Sequence, residues 1–294
     1  MGRLIRSFWH LLLAALLAGA GVSAAAAPPR VITLAPHATE MVYAAGGGHL
    51  MAGTVESSDF PEAARRLPRV GDGITLNQER IIMLRPTVLV GWLRSGAALN
   101  AEVLARSMGA SMVYSRPASL RDIPADVRRI GSLLGIEEAA RPRAAAMEAR
   151  IDALEGRYAA LRPVTVFIEL GSAPLYAIGG DPLLNDAMRV CGAINIYGSS
   201  ALPAPPVPIE GVLVLNPQLV VVAPHAAKGL SEVQARWARY GLAAARLGNL
   251  HGADPDALFR PGPRFIDATE ALCQAVDHVR RAHENELSLE IRSN

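Results

Sequence analysis

The sequence predicts an α/β protein: two α/β lobes with parallel-type sheets, bridged by one long α-helix, with a ligand cleft between the lobes. Three observations carry this expectation. A unit is written twice, in residues 79–92 and again in 210–223: Glu79 or Glu210 opens a short apolar helical turn, Pro86 or Pro217 follows, and an apolar β-branched run comes next. Around each copy, β-branched runs alternate with helical patterns, as in parallel α/β layers. Between the copies, residues 137–161 are rich in Ala, Glu, Arg, Met and Leu, with apolar residues at helical steps.

The elements follow in order. Residues 30–34 (Arg-Val-Ile-Thr-Leu) read as a strand by β-branched content. Residues 39–45 read as a helix with Glu40 in its first turn, stopped by Gly46-Gly47-Gly48. A second strand is expected over 50–55. A helical turn over 76–84 ends at Arg85, because a residue before Pro avoids the α region. A buried strand over 87–92, a helix over 99–108 closed by Gly109 and a strand over 111–114 complete the first lobe's sheet. Ser119 to Asp122 has capping-box spacing ahead of Ile123, Val127, Ile130 and Leu134. In the bridging helix, Met147, Ile151, Leu154, Tyr158 and Leu161 share one face, and Pro142 is tolerable only near its start. After Pro163 the alternation resumes: a strand over 164–170, a helix over 181–190, a Pro-rich loop over 203–208, the second copy of the unit, a helix over 231–245 around Trp237, and a closing helix over 263–283. The expected domains are residues 28–134, the bridging helix 137–161 and residues 163–294.

The chain's 294 residues suffice for two domains, and 51% of them are hydrophobic, so core material is plentiful. The net charge is +2, with Arg interspersed among Glu and Asp, which argues against a nucleic-acid surface. Residues 1–26 read as a signal peptide: Arg3 and Arg6 precede a short apolar stretch, and small residues around Ser23 offer cleavage sites. The stretch is short for a membrane anchor, and no Cys stands at the cleavage site for lipid attachment. A free, monomeric protein of a bacterial periplasm is expected. In that oxidising compartment the two cysteines, Cys191 and Cys273, suggest one disulfide, with two separate buried thiols as the alternative.

Ligands of parallel α/β sheets bind beyond the carboxyl ends of strands. In the first lobe those positions hold Pro36, His37, Asp59, Phe60 and Trp92; in the second, Pro174, Leu175, Tyr176, Pro224, His225, His251, Asp256, Arg260 and Arg264. This lining is aromatic with a few polar groups and one basic loop, suiting a large, flat, partly apolar ligand with amide or carboxylate edges. The plainer alternatives are core packing for Trp92, Phe60 and Tyr176, and ordinary hydrogen-bonded loop positions for the histidines. Three histidines after strands also raise a metal. Enzyme motifs are absent from the sequence: no Gly-x-Ser-x-Gly, phosphate loop or His-Glu-x-x-His.

The segments Arg30–Pro36 with Thr39-Glu40, Ser58–Pro61, Leu67–Gly71 and Leu76–Trp92 resemble the helical-backbone periplasmic binding proteins of ABC importers, and among them the vitamin B12-binding branch. Arg189–Gly192 with Asn195-Ile196, Glu210–Pro217, Asp256–Arg264 and Cys273 carry the resemblance through the second half. The resemblance implies a corrinoid held in the cleft, by binding and without catalysis. It places ligand contacts at Phe60, Trp92, Tyr176, Asp256 and Arg260, with Pro36 and His37 beside them, and implies the Cys191–Cys273 disulfide. It also implies a docking Glu on each lobe that meets Arg residues of the membrane permease. Glu210 matches the second-lobe Glu. On the first lobe Leu99 stands near the expected place, Glu102 is the nearest carboxylate, and Glu79 is the repeat counterpart of Glu210. Gly73 and Ala204 stand where that branch can carry tryptophans, and Phe60 where it typically has Tyr. Relatives bind haem or ferric siderophores, so haem, with His37, His225 or Tyr176 as axial ligand, is the alternative; a periplasmic metal-dependent hydrolase is a remote one.

Overall fold

The structure is a computed structural model that describes residues 27–94, 96–223 and 228–293. The expected signal peptide, and Pro224 and His225, lie outside the described residues. Two separate sheets form. In the first, β1 (Val31–Thr33), β2 (Met51–Gly53), β3 (Val88–Gly91) and β4 (Ser111–Tyr114) are all parallel, in the order β2-β1-β3-β4. In the second, β5 (Val164–Ser172), β8 (Leu219–Val222) and β9 (Leu250–Gly252) are parallel. β7 (Ala193–Asn195) pairs in parallel with the start of β5, while β6 (Leu175–Ala177) returns antiparallel along its end.

Side chains alternate across both sheets, as period-2 strands require. Val31, Val88 and Val90 of the first sheet and Val164, Val166, Ile168, Leu219 and Val221 of the second point into one shared core. Ile32 and Leu89 point to the opposite face of the first sheet, and Phe167, Val220 and Val222 to that of the second. The shared core runs through α4 (Asp122–Leu133), α5 (Glu137–Tyr158) and α11 (Arg264–Ser293). The lobes are therefore joined by packed apolar side chains as well as by the connecting chain.

α5 is the bridging helix. Its 22 residues are unbroken, giving a rod of about 33 Å. Ala140, Ala144, Ile151, Leu154 and Tyr158 form its buried stripe. It stops at Tyr158, and Leu161, expected on that stripe, lies beyond it and is exposed. Glu155 accepts hydrogen bonds from Arg121 at 2.8 Å and Arg189 at 2.7 Å, one from each side of the bridge.

The duplicated unit has the same local geometry in both copies. α2 (Gln78–Leu84) ends at Arg85 with φ 46°, and α7 (Ile209–Leu215) ends at Asn216 with φ 40°. Among the described residues these are the two non-glycine positions with positive φ. Both precede a buried Pro, which disfavours the right-handed helical conformation for them. Ile81 and Val212 occupy matching buried positions.

Several expectations shift. α1 (Pro36–Ala44) begins at Pro36, because proline's fixed φ suits the first helical position, so Pro36 and His37 belong to a helix. The helix expected over 231–245 is two: α8 (Lys228–Arg239) and α9 (Ala243–Arg246), separated at Gly241, whose φ of 88° favours glycine. Of the expected capping box one bond forms: the Asp122 carboxylate accepts from the backbone N–H of Ser119, and also from that of Ala118, both at 2.8 Å. The remaining helices are α3 (Ala97–Ser107), α6 (Pro182–Val190) and α10 (Pro255–Leu258). Cys191, at the end of α6, is disulfide-bonded to Cys273 of α11.

Candidate ligand-binding cleft

The first-lobe wall is built where β1 and β3 end. Trp92 follows β3 directly and is 44% exposed. Behind it stands His37, 2% exposed, its ring edge-on to Trp92 at 5.5 Å between centroids. His37 Nε2 is 3.0 Å from the carbonyl oxygen of Ser115, and the Ser115 hydroxyl donates to Asp126 at 2.6 Å. Burial pushes the imidazole pKa down to about 4, against the opposing pull of the Ser115 carbonyl, so the ring is neutral at neutral pH. His37, expected beside the ligand contacts, is thus buried behind Trp92 with its ring edge-on to the indole.

Beside Trp92 lies a concavity of about 150 Å³, lined by Leu34, Ala35, Gly73, Leu76, Leu93 and Ala98 as well as Trp92. Gly73 has φ 97°, and a Cβ there would stand 3.5 Å from the Leu34 carbonyl oxygen. Beneath this wall four buried hydroxyls, of Thr33, Thr39, Thr54 and Ser58, bond to one another at 2.6 to 2.9 Å. They tie the end of β1, the middle of α1 and the chain after β2 into one unit, satisfying polar groups that burial would otherwise penalise.

At the seam, the loop between α10 and α11 reaches the first lobe. Arg260 donates to Asp59 at 2.6 Å and pairs with Asp256 at 2.7 Å. Arg264 forms a two-pronged pair with Glu40, at 2.7 and 3.1 Å, and its guanidinium lies 4.4 Å from the centre of the Phe60 ring. Gly262 allows this approach: a Cβ there would meet a Glu40 carboxylate oxygen at 3.2 Å and His37 Cβ at 3.3 Å. Burial raises the Glu40 carboxyl pKa, and the hydrogen bond from Arg264 opposes the rise. For Asp59, burial acts upward too, but the hydrogen bond and charge of Arg260 outweigh it and hold the pKa below the ordinary value. Phe60 remains 45% exposed.

On the second lobe Tyr176 sits in β6, 37% exposed, bridged through its backbone to Pro206. β6 was unanticipated because a three-residue strand between Pro174 and Gly179 lacks a readable alternation. His251 lies within β9, paired with Val221, and burial lowers its pKa. It is a strand residue, where the sequence placed it after the strand. Among the described residues no group of three His, Cys, Asp or Glu is placed to hold a metal ion. The structure thus brings Asp59 and Phe60 together with Asp256, Arg260 and Arg264. Trp92 packs with His37, and Tyr176 stands on the opposite lobe. Gly262, Leu76, Leu93 and Ala98 escaped the sequence reading; the only signal was the Arg260-Pro-Gly-Pro-Arg264 run, whose glycine between prolines marks a close backbone approach.

Two α/β layers, one rod-like helix and a seam of aromatic and charged groups match a known pattern. Residues 31–257 match the family model described as periplasmic binding protein. The chain belongs to the periplasmic binding protein family. Among relatives of this family, the vitamin B12-binding protein of Vibrio vulnificus (strain CMCP6) is 33% identical over 265 residues, covering 89% of this chain and 95% of that one. The crystal structure of the periplasmic vitamin B12 binding protein BtuF of Vibrio cholerae superposes with a TM-score of 0.77 at 30% identity, covering 86% and 98% of the two chains. A periplasmic heme binding protein from Pseudomonas aeruginosa superposes with a TM-score of 0.70 at 25% identity, covering 85% and 93%.

In this member of the periplasmic binding protein family, the three carboxylates named from sequence differ in kind. Glu79 and Glu210 each occupy the second position of their helices, α2 and α7, and both are exposed. Neither has an ion pair among the described residues. Glu102 is held by Arg94 at 2.9 Å, by Tyr114 at 2.9 Å and by Arg106 at 3.3 Å. Those hydrogen bonds, first from Arg94 and then from Tyr114, bring its pKa to about 2.

Proposed function

We propose that this protein is a periplasmic receptor that captures cobalamin or a related corrinoid and delivers it to the permease of an ABC importer. The relationship to vitamin B12-binding proteins at 33% identity, over nearly their whole length, supports this reading most strongly. The cleft agrees with it. Trp92 and Phe60 from one lobe and Tyr176 from the other offer aromatic faces to a macrocycle. Asp256 and Arg260 offer polar groups to its amide edge, with Pro36 at the foot of the first-lobe wall. The bridging helix and the core shared by both lobes restrict motion to a small hinge at the seam. No step of bond-making is assigned to the protein.

Haem is the weaker reading. Of its three expected axial ligands, His37 is buried behind Trp92 with Nε2 engaged by Ser115, Tyr176 remains 37% exposed, and His225 lies outside the described residues.

Docking onto the permease is assigned to Glu210 on the second lobe and to Glu79 on the first. Both present free charge on matched helical turns, whereas the charge of Glu102 is already neutralised by arginines.

Trp92 gives a direct test of the capture site. Trp92 and Trp237 are the two tryptophans after residue 26, and Trp237 is fully buried. Cyanocobalamin should quench the Trp92 share of the emission, and Trp92→Ala should weaken binding at least tenfold, the scale of losing one desolvated aromatic contact. Unchanged affinity in Trp92→Ala would place the ligand elsewhere.

A further inference from the structure

We infer that Met83 and Val214 are apolar anchors of the permease-docking surface, each entering an apolar hollow of the permease beside the cation that meets Glu79 or Glu210. This rests on the docking assignment above and adds the groups that keep water from the two charged contacts.

The duplicated unit carries the argument. Met83 follows Glu79 by four residues, and Val214 follows Glu210 by four. On a helix that spacing turns the second side chain only about 40° from the first and moves it about 6 Å along the axis, so each pair shares one face. The residue midway, Ile81 in α2 and Val212 in α7, is fully buried and fixes the opposite side of each helix against its lobe. The carboxylate and the apolar group therefore both turn outward. Met83 is 76% exposed and Val214 84%. A single exposed apolar residue carries no message. Here the same position is apolar and open in both copies, beside a carboxylate with no ion pair among the described residues. Other positions of the unit differ, Arg80 against Gly211 and Arg85 against Asn216. α2 is also held firmly at both ends: Asn77 accepts from the Arg80 backbone N–H at 2.9 Å, and the Arg30 guanidinium donates twice to the Leu84 carbonyl, at 2.9 and 2.8 Å. Its pair is presented on a fixed element.

The chemistry of the partner follows. A carboxylate that meets a guanidinium in open water gains little. The same pair gains more once water is shut out, and apolar neighbours around a polar contact do that. The permease surface that fits this receptor thus offers a guanidinium with an apolar hollow about one helical turn away, and offers the combination twice, once for each lobe. Met83, unbranched and polarizable, adapts to an irregular hollow.

The test is uptake of labelled cyanocobalamin by cells that lack their own copy of this receptor and are supplied with the full chain or its variants. Met83→Gln and Val214→Thr nearly preserve shape and replace an apolar group by a polar one; Met83→Leu keeps the apolar group. Each polar variant should lower uptake at least threefold, and the two together at least tenfold. Met83→Leu should stay within twofold of wild type, and cyanocobalamin affinity by calorimetry should stay within twofold in every variant. Circular dichroism and thermal unfolding establish folding; should the double variant fail to fold, the single ones decide. Normal uptake in the polar variants, with Glu79→Ala and Glu210→Ala impaired, overturns the anchors and leaves the docking assignment standing. Equal losses in Met83→Leu and Met83→Gln overturn the apolar contact. A dimeric wild type that the double variant converts to monomer in light scattering overturns it too, because the two positions would then meet a second copy of this chain. Normal uptake in all these variants, or none with wild type, overturns the docking assignment and the anchors together.

Discussion

At the residue scale, the buried polar groups near the cleft govern how the protein answers to acid and to mutation. The His37 imidazole, with its folded pKa near 4, takes up a proton in the unfolded chain near pH 6.5 but not in the folded one. Between those values the unfolded state holds more protons, so stability falls as pH drops from 6.5 toward 4 and is then flat. The full effect is about 3 kcal/mol. His37→Gln, which removes the titrating group, should flatten this part of the profile when urea unfolding is compared at pH 7 and pH 4.5. An identical slope in the variant would show that His37 is solvated. Glu40 and Arg264 are a second case. Arg264→Met leaves the Glu40 carboxylate buried with its main partner gone, and should cost about 3–5 kcal/mol. Adding Glu40→Gln should recover much of that loss. A double variant no more stable than Arg264→Met would mean that the carboxylate finds another partner.

At the element scale, the helices and strands owe their positions to punctuation that was mostly readable. Gly46 and Gly109 closed helices as expected, and the strand expected over 111–114 formed there. The repeat was legible as a pattern, but its meaning as two left-handed caps before proline needed coordinates, because sequence shows that a residue avoids one conformation without showing which it takes. The split between α8 and α9 was missed because the apolar spacing continues through Gly241, and only the backbone turn reveals the break. The short β6 and the start of α1 were lost for a related reason: elements of three residues, or boundaries set by one Pro, carry too little periodicity. α5 offers a test of helix energetics. Pro142 lies at its sixth position, where it removes the hydrogen bond to Glu138 and crowds that carbonyl. Pro142→Ala should raise stability by about 1–3 kcal/mol in thermal or urea unfolding; a loss would show that the proline relieves strain elsewhere. The disulfide joins α6 to α11 across 82 residues of sequence. Loop-closure entropy makes that link worth about 4.5 kcal/mol, so unfolding with and without a reductant should differ by most of that amount. A difference under about 1 kcal/mol would mean that the reduced chain is held together by the shared core alone.

For the whole molecule, the seam between lobes is both a clasp and part of the expected ligand site. Asp59 with Arg260 and Glu40 with Arg264 join the lobes across more than 200 residues of sequence, and sequence spacing gave no sign of either pair. Trp92 does follow a strand end, as expected, whereas Tyr176 lies inside the unanticipated strand β6. The burial of His37 was not legible, since a histidine after a strand reads the same whether it faces inward or out. The two exposed glutamates belong at this scale as well. Glu210→Ala and Glu79→Ala should each leave cyanocobalamin affinity within twofold and reduce uptake by cells severalfold, while Glu102→Ala should leave uptake intact. Normal uptake in Glu210→Ala would remove it from the docking surface. The account as a whole stands on what the cleft holds, and calorimetric titration of the purified mature protein with cyanocobalamin and with haemin measures that directly. Saturable one-to-one binding of cyanocobalamin, with haemin at least a hundredfold weaker, is the predicted result; tight haemin binding with no heat from cyanocobalamin would contradict it.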